Sequence, residues 1–227
     1  MTVSSNQVPQ IKICGIRTPE ALLKAAQLNI NYVGFVFAPS KRQVSPEQAA
    51  TLIQALPQHS NLQTAGVFVN PTVSELKKVL TVAPLDILQL HGQESPELCQ
   101  QIGDNFQRPI FKSVPIIGED HSESHVDRAE KVAKAYEGVV QALLIDTHDP
   151  EYGGGSGRTF NWDVIPFYQK AAQKYGLQLF VAGGLNPDNV QELVGNYELD
   201  GIDVSSGVET DGHKDIAKMT TFVERAF

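Results

Sequence analysis

The chain has 227 residues, 41% hydrophobic and 19% charged, which is enough apolar material to close a full core. A formal net charge of -8 repels nucleic acid and anionic membrane surfaces, so the expected partners are small molecules, with room left for a local cationic pocket that takes a small anion. Two cysteines, Cys14 and Cys99, with no CxxC pair, exclude a disulfide framework, argue against a structural zinc site and point to a reducing, cytoplasmic setting.

The first ten residues, MTVSSNQVPQ, lack a basic n-region and an apolar h-region, and no apolar run approaches the roughly 18 residues of a membrane span. Residues 1–10 are expected to form a flexible tail and residues 11–227 one domain. Short β-rich runs then recur, each followed by turn chemistry and a helix start. The strands are placed at Ile11–Cys14, Tyr32–Phe37, Thr64–Val69, Asp86–Leu90, Pro109–Lys112, Ala142–Asp146, Gln178–Ala182 and Gly201–Val204.

The helix starts are written in capping residues. Thr18-Pro19-Glu20 offers an N-cap, a proline at the first helical position and an acid in the first turn. Ser45-Pro46-Glu47 and Ser95-Pro96-Glu97 repeat the device, Thr72 with Glu75 reads as a capping box, and Asn186-Pro187-Asp188 starts a late helix. Only Pro115 to Val140 is weakly marked, a polar loop before a single helical signal. Runs such as YVGFVF and LFVAG are continuously apolar, as in parallel strands covered on both sides. Eight βα units with no linker between them predict a single (β/α)8 barrel with a parallel eight-stranded core.

In such a barrel the chemistry sits at the C-terminal ends of the strands. Strand 1 ends in Cys14, strand 4 in Gln89 and His91, and strand 6 in Asp146, while the loop after strand 2 carries Lys41 and Arg42. After strands 7 and 8 come FVAGGLNP and GIDVSSGVE, where backbone N–H groups of Gly183, Gly184, Ser206 and Gly207 can meet a phosphate, helped by a short helix starting near Ser205. The glycine-dense run from Tyr152 to Trp162, with Gly155 and Gly157, reads as a mobile loop over the ligand.

Cys14 is either a small buried hydrophobe or, if positive potential lowers its pKa, a thiolate base or nucleophile. Cys99, inside PELCQQI, reads as core. Asp146 is either ion-paired structure or a carboxyl raised by desolvation, and opposite a thiol it would complete an acid and base pair. Arg42 rather than Lys41 is expected to face inwards and grip a carboxylate. Asp203 either binds a ligand hydroxyl or amine or caps the Ser-Gly turn. His91 lacks the partners of a metal site, and His59, His121, His125, His148 and His213 are expected to face solvent.

Taken together, KICGIR, GFVFAPSKRQVSPEQA, GVFVN, LDILQLHGQESPE, LLIDT, YGGGSGRTFNW, VAGGLNPDNV and GIDVSSGVE resemble the phosphoribosylanthranilate isomerase family of tryptophan biosynthesis, in order from Ile11 to Phe227. The resemblance implies a cofactor-free, metal-free barrel enzyme that converts N-(5-phospho-β-D-ribosyl)anthranilate to 1-(2-carboxyphenylamino)-1-deoxy-D-ribulose 5-phosphate by an Amadori rearrangement. It implies Cys14 as general base, Asp146 as general acid and Arg42 on the anthranilate carboxylate. His91 and Asp203 are further expected substrate contacts, and Gly155, Gly157, Gly183, Gly184, Ser205, Ser206 and Gly207 the expected phosphate contacts. Departures from the family pattern are Arg17 where Thr is usual, Gln43 where an aromatic often stands, and one extra glycine in the sixth loop. The expected partner is a small phosphosugar, with neither nucleic acid nor membrane, and the protein a monomer or homodimer. The alternative is a non-catalytic phosphate- or flavin-binding barrel.

Overall fold

The computed structural model describes residues 8–116, 124–147 and 159–227. Eight parallel strands close in sequence order: β1 (Gln10–Cys14), β2 (Tyr32–Val36), β3 (Gln63–Phe68), β4 (Ile87–Leu90), β5 (Ile110–Ile116), β6 (Ala142–Thr147), β7 (Gln178–Val181) and β8 (Gly201–Val204), with β8 pairing back onto β1. Between and after them run α1 (Pro19–Gln27), α2 (Pro46–Gln54), α3 (Val73–Val82), α4 (Pro96–Phe106), α5 (His125–Ala135), α6 (Ile165–Lys174), α7 (Val190–Asn196) and α8 (Ile216–Arg225). A two-stranded ribbon, β9 (Glu209–Thr210) with β10 (His213–Lys214), sits between β8 and α8. None of the described helices is long and apolar enough to cross a membrane.

The capping residues act as expected: the side chains of Thr18, Ser45, Thr72 and Ser95 each accept from a backbone N–H of the following turn, and Ser45 and Thr72 complete capping boxes with Gln48 and Glu75. Most strand ends fall within one residue of those expected, and two differences have a plain cause. The barrel takes in Gln10, one residue of the expected tail, because its N–H reaches Asp200 O at 2.9 Å. β5 runs on through Pro115 to Ile116, where a proline suggested a loop. Beyond Lys112 only β6 pairs with β5, so Pro115 costs no ladder bond on the β4 side.

Period-two alternation divides the strand residues between two cores. Ile11, Ile13, Val33, Phe35, Leu143 and Ile145 pack outwards against the helices. Inside the barrel, towards the strands' N-terminal ends, Tyr32, Phe111 and Phe180 fill the bore with ring centroids 5.0 to 5.8 Å apart. Each such aromatic contributes roughly 2–3 kcal/mol by burial. Above this plug the inward positions turn polar: Lys12, Gln89 and Asp203 are buried, and Cys14 and Asp146 lie beyond them on β1 and β6. The apolar plug forms the floor of whatever the polar end binds.

Candidate active site

A cavity of about 410 Å³ opens at the C-terminal ends of the strands. Cys14, Arg42, Gln89, His91, Asp146, Asp203, Gly183, Gly184, Ser205 and Ser206 all line it, so the expected residues from six separate segments converge on one mouth. Val36, Ala38, Val67, Val69 and Leu185 supply its apolar wall. Gly155 and Gly157, with His121, His148 and the expected loop over the ligand as far as residue 158, lie outside the described residues. His59 and His213 are exposed and His125 half-buried, while Cys99 is buried in α4.

Cys14 closes β1 with only 7% of its surface exposed. It fits there because its neighbour on β2 is Gly34: a Cβ at that position would stand 2.6 Å from the sulfur. Burial pushes the thiol above its ordinary value, although Lys12 and Lys214 pull the other way. Cations therefore stand beside the thiol, but desolvation outweighs them.

Asp146 is held from both sides. Its Oδ1 accepts from the Thr147 N–H at 2.7 Å, and its Oδ2 lies 3.3 Å from His91 Nε2, whose other nitrogen is 3.2 Å from Gln89 Nε2. Gly183 makes that arrangement possible. Its φ of +84° is left-handed, and a Cβ there would collide with Thr147 and approach Asp146 Oδ1 to 2.8 Å.

Arg42 faces the cavity while Lys41 is exposed. The guanidinium is already forked: Nε and Nη2 donate to the two carboxylate oxygens of Glu209 on β9, each at 2.8 Å. Lys214 Nζ donates to the same carboxylate at 2.6 Å and to Ser205 O at 2.9 Å. Burial would raise Glu209, but Arg42 and Lys214 overcome it and bring the carboxyl down to about 2. Glu209 and Lys214 are not singled out in the sequence. The departures Arg17 and Gln43 brace the same rim: Arg17 donates to Lys41 O and Gly212 O, and Gln43 Nε2 to Phe37 O at 3.0 Å.

The loops after β7 and β8 keep donors in reserve. Among the described residues, the N–H groups of Gly183, Gly184, Ser206 and Gly207 donate no hydrogen bond. In the expected helix start, Asn186 Oδ1 accepts from the Asp188 N–H at 2.8 Å, while the Asn186 and Asn189 amides donate to Gly184 O at 3.3 and 3.0 Å; α7 itself begins at Val190. The expected short helix at Ser205 is a single three-residue turn, Ser206–Val208. So short a turn offers unspent N–H groups rather than a helix dipole. The Ser205 hydroxyl donates to Cys14 O at 3.1 Å.

Asp203 does not cap that turn. Its Oδ2 takes Lys12 Nζ at 2.9 Å, and its buried Oδ1 has no partner among the described residues. Lys12, fully buried on β1, was missed in the sequence. The available signal was a charged residue two positions before Cys14 in an otherwise apolar strand, which puts both on one face. No group of three or more His, Cys, Asp and Glu among the described residues is arranged to hold a metal ion.

Comparison with known proteins matches this geometry to one family. Residues 11–225 match the family model described as N-(5'phosphoribosyl)anthranilate (PRA) isomerase. A relative named N-(5'-phosphoribosyl)anthranilate isomerase from Brevibacillus brevis is 46% identical over 216 residues, 95% of this chain and 92% of the relative. Among solved structures, monomers generated from the dimeric phosphoribosylanthranilate isomerase of Thermotoga maritima superpose with a TM-score of 0.77 at 33% identity, covering 96% of this chain and 98% of that one. A phosphoribosyl anthranilate isomerase in complex with reduced 1-(o-carboxyphenylamino)-1-deoxyribulose 5-phosphate gives 0.77 at 32% identity, with the same coverage. The chain belongs to the N-(5'-phosphoribosyl)anthranilate isomerase family.

Proposed function

We infer that the chain converts N-(5-phospho-β-D-ribosyl)anthranilate to 1-(2-carboxyphenylamino)-1-deoxy-D-ribulose 5-phosphate, a step of tryptophan biosynthesis, with Cys14 as base and Asp146 as acid. The observation that carries these roles is that both side chains line one cavity whose rim holds unspent N–H donors. Protonated Asp146 gives its proton to the furanose ring oxygen, the C1–O bond breaks, and the anthranilate nitrogen supplies the pair that forms C1=N⁺. That cation acidifies the C2 hydrogen, which Cys14 thiolate removes. The C–H pair becomes C1=C2, the iminium pair returns to nitrogen, and the enolamine tautomerises to the ketose. Protons and electron pairs alone move, so these steps call on no cofactor.

Binding at both ends puts the reacting carbons between acid and base. The phosphate meets the N–H groups of Gly183, Gly184, Ser206 and Gly207, with Ser205 beside them and Gly155 and Gly157 completing the set. The anthranilate ring lies along Val36, Ala38 and Val67, with its carboxylate on the part of Arg42 that Glu209 leaves free. His91 steadies Asp146, and the unpaired Asp203 Oδ1 accepts from a sugar hydroxyl or the bridging amine. A cytoplasmic enzyme, monomeric or homodimeric, belongs to the same reading. A fluorescence assay following loss of phosphoribosylanthranilate should show turnover by the purified protein, and Arg42→Ala should raise KM roughly tenfold or more while lowering kcat less. No turnover above background would overturn the assignment.

A further inference from the structure

The reaction as written leaves one buried charge unused. Lys12 is wholly enclosed on β1, and a lysine there carries a heavy desolvation cost that an apolar residue would avoid. Its register partner on β8 is Asp203, whose Oδ2 lies 2.9 Å from Nζ. Its other neighbour is Cys14, two residues on and on the same face of the strand. The ammonium thus stands between the carboxylate and the sulfur in the layer directly above the aromatic plug.

We propose that Lys12, clamped by Asp203, is a positioning residue for the base: its ammonium holds the charge of the Cys14 thiolate in the buried layer above the aromatic plug. This rests on Cys14 being the base. Among the described residues, the charged groups facing the sulfur are few. Lys12 comes from β1, Asp203 from β8, Lys214 from β10 and Arg42 from the loop after β2, with Asp146 and His91 one step further, beyond Asp203. The β2 residues beside the sulfur, Gly34 and Val36, carry no charge. Lys12 outweighs Asp203 at the thiol, through both charge and hydrogen bonding, and Asp203 and the thiol in turn keep Lys12 protonated against the pull of burial. Lys12 keeps its own proton throughout: when the C2 proton arrives on sulfur and neutralises the thiolate, Lys12 stays paired with Asp203, and when it leaves, the thiolate re-forms beside a fixed cation.

The test is the pH profile of Cys14 alkylation by iodoacetamide, followed by mass spectrometry at that peptide, in the full chain and in Lys12→Met. The inflection should rise by about one pH unit or more, which at pH 8 is about tenfold slower labelling, and kcat should fall at least as far with KM changed less. Should Lys12→Met fail to fold by circular dichroism, Lys12→Met/Asp203→Asn, which strands no buried charge, is read against the parent and should shift the same way. A folded variant with an unmoved profile overturns the proposal. Undiminished turnover by Cys14→Ala would instead overturn the base assignment, so the two failures are told apart.

Discussion

Glu209 decides how Arg42 presents itself. With both carboxylate oxygens on the guanidinium and Lys214 on the same group, the arginine is fixed before substrate arrives. A carboxyl held at about 2, against an ordinary 4.5, stabilises the fold fully above the ordinary value and loses that contribution as pH falls towards 2. Urea unfolding at pH 7 and pH 3.5 should therefore show the parent losing about 1 kcal/mol more than Glu209→Gln across that interval. Equal losses would mean the carboxyl is not held down. Cys14, Asp146 and Arg42 were legible from their places at strand ends and in the loop after β2. Lys12, Glu209 and Lys214 were not, because charged residues on short segments ordinarily face water, and only the closed ring shows that these three turn inwards.

The strands could be read because burial on both sides makes them continuously apolar, and the helices because Thr18, Ser45, Thr72 and Ser95 announce them. Where one residue type serves two purposes, the reading slipped. A proline ends many strands, but Pro115 lies where β5 has lost its β4 neighbour, and Asn186 holds the β7 loop through Gly184 O as well as taking the Asp188 N–H ahead of α7. That loop is the element on which the placement of Asp146 depends. Gly183→Ala places a Cβ at positive φ against Thr147 and Asp146, and should cost about 1–3 kcal/mol in unfolding free energy. Because the same Cβ displaces Asp146, the proposed acid, kcat should fall by about tenfold or more beyond anything the lost stability explains. A variant less stable but fully active would separate the loop's conformation from the chemistry.

Closure of the ring brings β1 and β6 to one cavity, and the apolar plug of Tyr32, Phe111 and Phe180 ties the strands beneath it. The single-domain reading predicts one cooperative unit: Trp162 packs against the core at the entrance to α6, so its fluorescence and the far-ultraviolet circular dichroism should trace coincident unfolding curves. Separate transitions would split the chain into independent parts. The central claim, that a thiol and a carboxyl from distant strands share one proton-transfer reaction, is tested most directly by steady-state kinetics of Cys14→Ala and Asp146→Asn. Each should lower kcat by at least about a hundredfold with KM changed far less. Parent-like turnover in either variant would contradict it.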